Sequence, residues 1–207
     1  MTIANRRSVM VLFSGPLDHF SHRVRIVMAE KGILHEIESV DLSDPQPEFI
    51  ELSPYQKLPT VADRDLTLFG SQVIMEYLDE RFPHPPLMPV DPVARANVRQ
   101  MIARIDLDWS KRMEEIEQGS DKVANQARAA LSEGITMLAP LFAQQPYFMS
   151  EEFSLVDCSL APILWRLKSL NVRLPTIADG VTAYAERIFE RDSFLDSLTE
   201  EERELDE

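Results

Sequence analysis

The first eighty residues alternate short apolar runs with segments whose apolar positions recur at helical spacing. "SVMVLFS" (8–14) is a short apolar run closed by glycine and proline, which is typical of a buried strand. Residues 20–28 place apolar side chains at i, i+4, i+7 and i+8, which predicts a helix that Gly32 can end. The further predicted elements are a strand at 35–40, a short helix within 44–52, a strand pair over 58–70 with a turn at 63–65, and a helix capped by Ser71. The order βαβαββα predicts a compact α/β unit over residues 1–81.

Beyond residue 91 the strand patterns give way to helical ones. Two long helical patterns, 92–118 and 121–143, are separated by a Gly-Ser pair. Ser154 with Asp157 three residues later predicts a capping box, which opens a helix of about sixteen residues that is apolar on nearly every face. Such a helix suits the core of a bundle and is too short for a membrane span. With two shorter helices, 181–190 and 193–198, residues 92–198 are predicted to form an all-helical domain.

Between these two parts lies "RFPHPPLMPV" (81–90), which holds four prolines in ten positions. Proline fixes φ and donates no backbone hydrogen bond, so no regular element can run through this stretch. We therefore predict a proline-rich linker at 82–91. Phe82, Pro83, His84 and Pro85 follow one another within it, and rigid prolines beside an aromatic ring and an imidazole also favour a recognition surface.

The net charge and the cysteine content exclude some of the functions that a chain of this size could have. The formal net charge is −14, and "TEEERELDE" (199–207) contributes six acids and one arginine, so we expect a solvated, frayed tail there. An acidic balance of this size argues against direct binding of nucleic acid. Cys158 is the only cysteine, so no intrachain disulfide can form.

Neither a secretory leader nor a membrane segment is predicted. The apolar run near the start spans only residues 9–13, and a leader needs a core of about seven or more apolar residues. No segment approaches the roughly 18 consecutive apolar residues of a spanning helix. We therefore expect a cytoplasmic protein that does not bind membranes.

Several stretches, taken in order, resemble the cytosolic glutathione transferase fold. They are "HRVRIVMAEKGI" (22–33), "KLPTV" (57–61), "LTLFGSQVIMEYLDERFP" (66–83) and "FSLVDCSLAP" (153–162). The resemblance implies an α/β plus all-α architecture: a thioredoxin-like N-terminal domain followed by a helical-bundle C-terminal domain. Within that superfamily the likeness is greatest to the stringent starvation protein A group, through residues 8–33, 74–90 and 189–204. Members of that group associate with RNA polymerase, regulate transcription during starvation and stationary phase, and are not known as transferases.

The resemblance also predicts a vestigial glutathione pocket. A glutathione transferase lowers the pKa of a bound thiol, with help from a helix N-terminus and a neutral donor, usually Ser, Tyr or Cys. In several classes Ser or Cys stands where this chain has Asp18, whose carboxylate would repel a thiolate by about 4 kcal/mol at ~4 Å. On physical grounds alone Asp18 is also a good helix N-cap. Gly70 replaces the acidic residue that usually holds the γ-glutamyl amino group.

Other parts of that pocket are retained. The remaining matches are Lys57, Leu58, Pro59, which is expected to follow a cis peptide bond, and Ser71. An architectural role for Pro59 is the simpler interpretation. No catalytic residue and no cofactor are predicted, and weak binding of glutathione or another anion is left open.

The resemblance assigns part of the partner surface to Pro83, His84 and Pro85, and Phe82 is predicted to belong to the same surface as an apolar anchor. The leading hypothesis is a homodimeric, non-catalytic adaptor that docks on RNA polymerase holoenzyme or its sigma factor. The alternative is a glutathione-dependent transferase or maleyl cis–trans isomerase that uses Ser14 or Ser21. A third hypothesis, a module that binds glutathione or a nucleotide alarmone without chemistry, rests only on Lys57 and the Pro59 loop.

Other candidate residues are assigned to packing. His19 and His22 lie three positions apart without a further ligand cluster, so no metal site is predicted. Cys158 falls on the apolar capped helix and is interpreted as a core residue. Trp109 and Trp165 are interpreted as anchors of the helical core or of an interface.

Overall fold

The computed structural model describes residues 9–205. Ser8, the first residue of the predicted opening strand, and the last two acids of the predicted tail lie outside the described residues. The described chain divides into two compact units: residues 9–85 with Asp192–Arg203, and Pro86–Arg191 with the residues after 203. The division falls between Pro85 and Pro86, inside the predicted linker.

A four-stranded mixed sheet forms the centre of the first unit. Its strands are β1 (Met10–Ser14), β2 (His35–Ser39), β3 (Thr60–Asp63) and β4 (Leu66–Phe69). The order is β2-β1-β3-β4, with β1 parallel to β2 and β3 antiparallel to both of its neighbours. Every residue of β1 is buried, as its unbroken apolar pattern predicts for a central strand.

Helices account for most of the remaining chain. In chain order they are α1 (His19–Glu30), α2 (Pro47–Leu52), α3 (Ser71–Arg81), α4 (Pro92–Ile105), α5 (Lys111–Gln118), α6 (Asp121–Phe142), α7 (Leu155–Arg166), α8 (Asp179–Phe189), α9 (Asp192–Ser197) and α10 (Glu200–Glu204). The order βαβαββα predicted for the first unit is therefore confirmed. The α/β plus all-α architecture that the resemblance implies, a mixed sheet followed by helices, is therefore present.

The start of α3 corrects one prediction. Ser71 is the first helical residue and not the cap, and the cap position belongs to Gly70, which offers no side-chain hydrogen bond. Gly70 has φ +88°, a backbone conformation that glycine adopts without steric cost. Because the cap position requires this positive φ, glycine occupies it, and Ser71 becomes the first residue of the helix.

In the second unit, residues 92–118 are helical without a break, as the long pattern predicts, but they are not α-helical throughout. A π-helical turn, Asp106–Ser110, separates α4 from α5 and carries the buried Trp109. A wider turn shifts the helical phase, and no residue type marks such a turn in the sequence. Helix α7 is twelve residues long, and Trp165 alone among them is not buried, as expected for a core helix.

The C-terminal segment (residues 192–203) corrects the prediction of a frayed tail. It belongs to the first unit and contains α9 and the start of α10, and Glu202 is fully buried. The acidic composition suggested solvent exposure, but Arg25 on α1 supplies a buried cationic partner for Glu202. Among residues 9–205, no helix is both long and apolar enough to span a bilayer.

Candidate functional site

Asp18 caps the N-terminus of α1, and its carboxylate occupies the amides there. Oδ1 accepts from the backbone N–H of Phe20 at 3.3 Å, and Oδ2 accepts from the backbone N–H of Ser21 at 2.8 Å. The Ser21 hydroxyl donates to the same Oδ2 at 2.6 Å. The cap assigned to Asp18 from the sequence is therefore confirmed. The positive end of α1 already holds an anion, which belongs to the chain itself.

Gly15 makes this arrangement compact. A Cβ atom at Gly15 would lie 2.8 Å from Cβ of Asp18 and 3.5 Å from Cδ1 of Leu58. Such a contact with Asp18 is shorter than van der Waals packing allows, so only glycine fits without displacing the cap. Leu58, from the predicted glutathione pocket, thus lies close to the same end of α1 as Asp18.

Both serines proposed as alternative nucleophiles are buried and hydrogen-bonded. Ser14 is 2% exposed, and the Arg25 guanidinium donates to its hydroxyl at 2.5 Å. Ser21 is 0% exposed, accepts from the Gly15 N–H at 3.1 Å and donates to Asp18. Among residues 9–205, neither hydroxyl is paired with a histidine in the arrangement that activates a serine nucleophile.

The Pro59 loop keeps its expected backbone shape. The Leu58–Pro59 peptide bond is cis, which confirms the prediction made for Pro59. The Pro59 carbonyl accepts from the Gly70 N–H at 3.3 Å, which joins the loop to the start of α3. Lys57 is exposed, and its carbonyl accepts from the Thr60 hydroxyl at 2.6 Å. The loop is thus braced from within the first unit.

No acid is present where the superfamily usually binds the γ-glutamyl ammonium. Gly70 has no side chain, and a Cβ placed on it would have no other atom within 4 Å. Ser71, next to it, is 6% exposed. A side chain would have room at Gly70, but neither Gly70 nor Ser71 carries a charge that could bind an ammonium group.

The proline turn (residues 82–85) lies at the surface of the first unit. Pro83, His84 and Pro85 are exposed and Phe82 is half-buried. The Arg81 guanidinium carbon lies 5.6 Å from the centre of the Phe82 ring, within the range of a cation–π contact. The His84–Pro85 peptide bond is cis, a feature that the sequence did not predict.

A buried lysine that the sequence interpretation missed lies under this turn. The Lys31 side chain is fully buried, and its Nζ lies 2.8 Å from Asp79 Oδ1. The same ammonium donates to the carbonyls of Phe82 at 2.6 Å and Pro85 at 2.7 Å. Its contacts are therefore with the two ends of the proline turn and with one carboxylate of α3.

The second unit contains a separate apolar groove of about 780 Å³. It lies between residues 86–90, one face of α4 and residues 148–156, with Met88, Met101 and Phe153 among its lining side chains. Its size falls within the range of small-molecule pockets. The groove brings residues 148–156 against the linker end and α4, which are distant from them in sequence, and no local motif marks it.

The predicted capping box at the start of α7 is present, and it extends into a buried network. Asp157 accepts from the N–H groups of Phe148 at 2.9 Å and Ser154 at 2.8 Å, and from the Tyr184 hydroxyl at 2.6 Å. Burial raises the pKa of Asp157 above its ordinary value of 3.8, against opposing hydrogen bonds led by that of Tyr184. Burial and the nearby Asp157 carboxylate raise the pKa of the Tyr184 phenol well above 10.0. The network has a structural role in the core of this unit.

The remaining candidate residues lie in packed surroundings. Cys158 is fully buried, in agreement with its assignment to the core. His22 contacts the Ser197 hydroxyl at 2.9 Å and Glu202 at 3.3 Å. Within the part of the chain that the structure describes, no group of three or more His, Cys, Asp or Glu side chains is arranged to hold a metal ion.

Comparison with known proteins places the chain among glutathione transferase-like proteins. The family model "Glutathione S-transferase, N-terminal domain" matches residues 19–81, and "Glutathione S-transferase, C-terminal domain" matches residues 94–187. A stringent starvation protein A homolog of Coxiella burnetii is 52% identical over 98% of this chain and 97% of its own. A homolog of the same name from Pasteurella multocida is 53% identical over 94% and 92%. Rice glutathione transferase OsGSTU1, solved in complex with glutathione, superposes with a TM-score of 0.85 at 24% identity, over 97% of this chain and 96% of that one.

Proposed function

This chain belongs to the stringent starvation protein A family of glutathione transferase-like proteins, and from that membership we propose that it regulates transcription without catalysis. In this proposal it acts in the cytoplasm, associates with RNA polymerase holoenzyme or its sigma factor during starvation and stationary phase, and requires no cofactor. The contact surface is the proline turn. The observation that carries the proposal is the Asp18 carboxylate on the amides of α1.

The position of that carboxylate disfavours thiol activation. A glutathione thiolate would need the same helix N-terminus, and two like charges at ~4 Å repel by about 4 kcal/mol in a partly screened site. The repulsion favours the protonated thiol, which is the inactive form. Gly70 further removes the acid that would hold the other end of the peptide. Both departures argue for a scaffold that is not used for conjugation.

The shape of the proline turn supports a role in binding. Its three outer residues are exposed, and two of them are prolines, whose backbone loses little entropy when a partner binds. The imidazole of His84 can donate or accept a hydrogen bond, and the Phe82 ring offers apolar surface. The turn thus combines polar and apolar groups on a restrained backbone.

Charge and self-association complete the proposal. A net charge of −14 favours a protein partner with basic patches, since attraction between opposite charges speeds encounter. We propose a homodimer, the usual arrangement in the superfamily. An exposed pair of rings, Tyr55 and Phe69 at 5.5 Å, provides apolar surface that a second subunit could cover.

Retention of purified RNA polymerase holoenzyme on immobilised protein tests the proposal. The wild-type chain is compared with the Pro83→Ala, His84→Ala, Pro85→Ala triple variant, and thermal unfolding verifies that the variant is folded. A matched control replaces two exposed prolines elsewhere, Pro54→Ala and Pro175→Ala. We expect wild type and control to retain the polymerase and the triple variant to lose it. Equal retention by all three removes the assigned surface, and absence of retention by wild type removes the polymerase proposal itself.

A glutathione-dependent enzyme is the second candidate, and the position of the Leu58 side chain beside Gly15 and the N-terminus of α1 favours it. The backbone that usually binds the glutathione peptide is retained there. A glutathione affinity column with a spectrophotometric conjugation assay separates the two candidates. Tight retention with turnover at rates ordinary for transferases would establish the enzyme and overturn the non-catalytic proposal.

A further inference from the structure

We infer that Lys31 is the positioning residue of the proline turn, and that its buried ammonium holds the turn in the shape that its partner recognises. The part of the inference that concerns binding rests on the proposed docking function. The part that concerns the order of the turn stands on geometry alone. The two parts can be tested separately.

All three hydrogens of the Lys31 ammonium have acceptors. Asp79 Oδ1 lies at 2.8 Å, the Phe82 carbonyl at 2.6 Å and the Pro85 carbonyl at 2.7 Å. A lysine ammonium has three donors and no acceptor, so this set uses its full capacity. Hydrogen bonds from a charged donor are roughly twice as strong as neutral ones, and burial of the side chain strengthens them further.

The proline turn cannot supply these bonds itself. Pro83 and Pro85 have no backbone N–H, and the N–H of Phe82 donates to the Leu78 carbonyl at 2.9 Å. Of the four residues, only His84 is left with a backbone donor. The carbonyls at the two ends therefore need a donor from elsewhere, and one ammonium serves both. By joining the first carbonyl to the last, Lys31 fixes the distance across the turn.

The lysine is itself held by regular structure. Lys31 directly follows α1, and its backbone N–H donates to the Val27 carbonyl at 3.1 Å. Asp79 lies on α3 and is 7% exposed. Both members of a buried ion pair need a full set of hydrogen bonds, and the two carbonyls complete the set of the Lys31 ammonium. The turn is thus held in place by residues at the end of α1 and on α3. Residues on helices position a recognition element more accurately than residues on loops do.

Because Lys31 holds the proline turn in one shape before a partner binds, it should affect the affinity for that partner. A turn that is already in its bound shape loses little conformational entropy on association, whereas a released turn must be ordered at that moment. Ordering one backbone residue costs enough free energy to change an affinity by about tenfold. We therefore expect loss of Lys31 to weaken polymerase retention by about tenfold or more, without changing any residue that contacts the partner.

The test uses the full chain with Lys31→Met and Asp79→Leu combined, so that the buried carboxylate is removed together with the ammonium that it neutralises. Lys122→Met, at an exposed position on α6, is the matched control. The first readout is the backbone ¹⁵N heteronuclear NOE of His84 in the free protein, with amides of β1 as the internal standard for a folded core. The second readout is the amount of polymerase holoenzyme retained.

We expect the NOE of His84 to fall in the double variant only, while β1 remains ordered and polymerase retention decreases about tenfold or more. An unchanged NOE at His84 overturns the inference, whatever the polymerase does. A reduced NOE with full retention overturns the role in binding. If the wild-type chain retains no polymerase, the docking function fails, and the NOE comparison still decides whether Lys31 positions the turn.

Discussion

The Arg25 guanidinium and the Glu202 carboxylate form a buried ion pair at 2.6 Å between residues that are 177 positions apart in the chain. The same guanidinium donates to the Ser197 carbonyl at 2.8 Å. On the other side, the second Glu202 oxygen accepts from the Thr199 N–H at 3.1 Å. The C-terminal segment is therefore fastened to α1 by a connected polar network within the first unit.

Glu202→Ala should strongly destabilise the protein. Removing one partner of a buried ion pair leaves the other charge in a poorly solvated place, and such changes cost about 3–5 kcal/mol. Glu201→Ala, at the exposed neighbouring position, changes the net charge equally and should cost less than about 0.5 kcal/mol. Urea unfolding, with the free energy extrapolated to water, measures both. Equal losses in the two variants would show that the network contributes no specific stability.

Asp18→Asn should strengthen glutathione binding. Asparagine is also a good N-cap, so α1 should retain its start and the free energy of unfolding should fall by no more than about 1 kcal/mol. The negative charge that opposes an incoming anion is removed, and we expect affinity to rise by about tenfold or more. The rise is smaller than a repulsion of about 4 kcal/mol would give, because Asp18 is half-buried and solvent screens its charge. Isothermal titration calorimetry with reduced glutathione measures the change.

The control for that experiment is Asp91→Asn. Asp91 caps α4 through a 2.8 Å hydrogen bond from the Ala94 N–H, so the same substitution is made at a helix cap in the second unit. Its glutathione affinity should match that of wild type. If Asp18→Asn also matched wild type, electrostatic exclusion of glutathione by Asp18 would be contradicted.

Local rules were sufficient for the features that short stretches of sequence encode. The Asp18 cap and the Ser154–Asp157 capping box each follow from residue type over a few positions. The buried helix α7 follows from its apolar pattern. Each of these elements is stabilised mainly by neighbours in sequence, and a single chain therefore reveals them.

The missed features depend on partners distant in sequence. Lys31 received no role in the sequence interpretation, because its partners lie on α3 and in the proline turn. Glu202 was assigned to a solvated tail because its acidic neighbours dominate the composition. A local signal was nevertheless present: Thr199 and Glu202 have capping-box spacing, and the Glu202 N–H does donate to the Thr199 hydroxyl at 3.1 Å. That spacing predicts the start of α10, although not the burial of the carboxylate.

Asp157→Ala should destabilise the second unit by about 2–4 kcal/mol. The substitution leaves the buried N–H of Phe148 and the partly buried N–H of Ser154 without their acceptor, and loss of a buried acceptor costs about 1–3 kcal/mol before relaxation. Tyr184→Phe removes only one donor to the same carboxylate and should cost about 1–2 kcal/mol. Asp121→Ala, at an exposed position in the first turn of α6, serves as the control and should change the free energy of unfolding little. Urea unfolding ranks the three variants, and a control as unstable as Asp157→Ala would contradict the assignment.

The raised pKa of Asp157 gives its contribution to stability a definite sign with pH. Burial disfavours the ionised form, so the folded chain holds this proton at pH values where the unfolded chain has released it. Above the ordinary value of 3.8, stability contributed by Asp157 should therefore fall as pH rises towards the folded pKa, and become constant beyond it. Asp157→Asn cannot titrate and keeps a similar shape, so the difference in unfolding free energy between wild type and this variant isolates the effect from all other carboxylates. We expect that difference, wild type minus variant, to decrease with rising pH in this window. An increase would mean that hydrogen bonds to the carboxylate outweigh its burial, and that the folded pKa lies below 3.8.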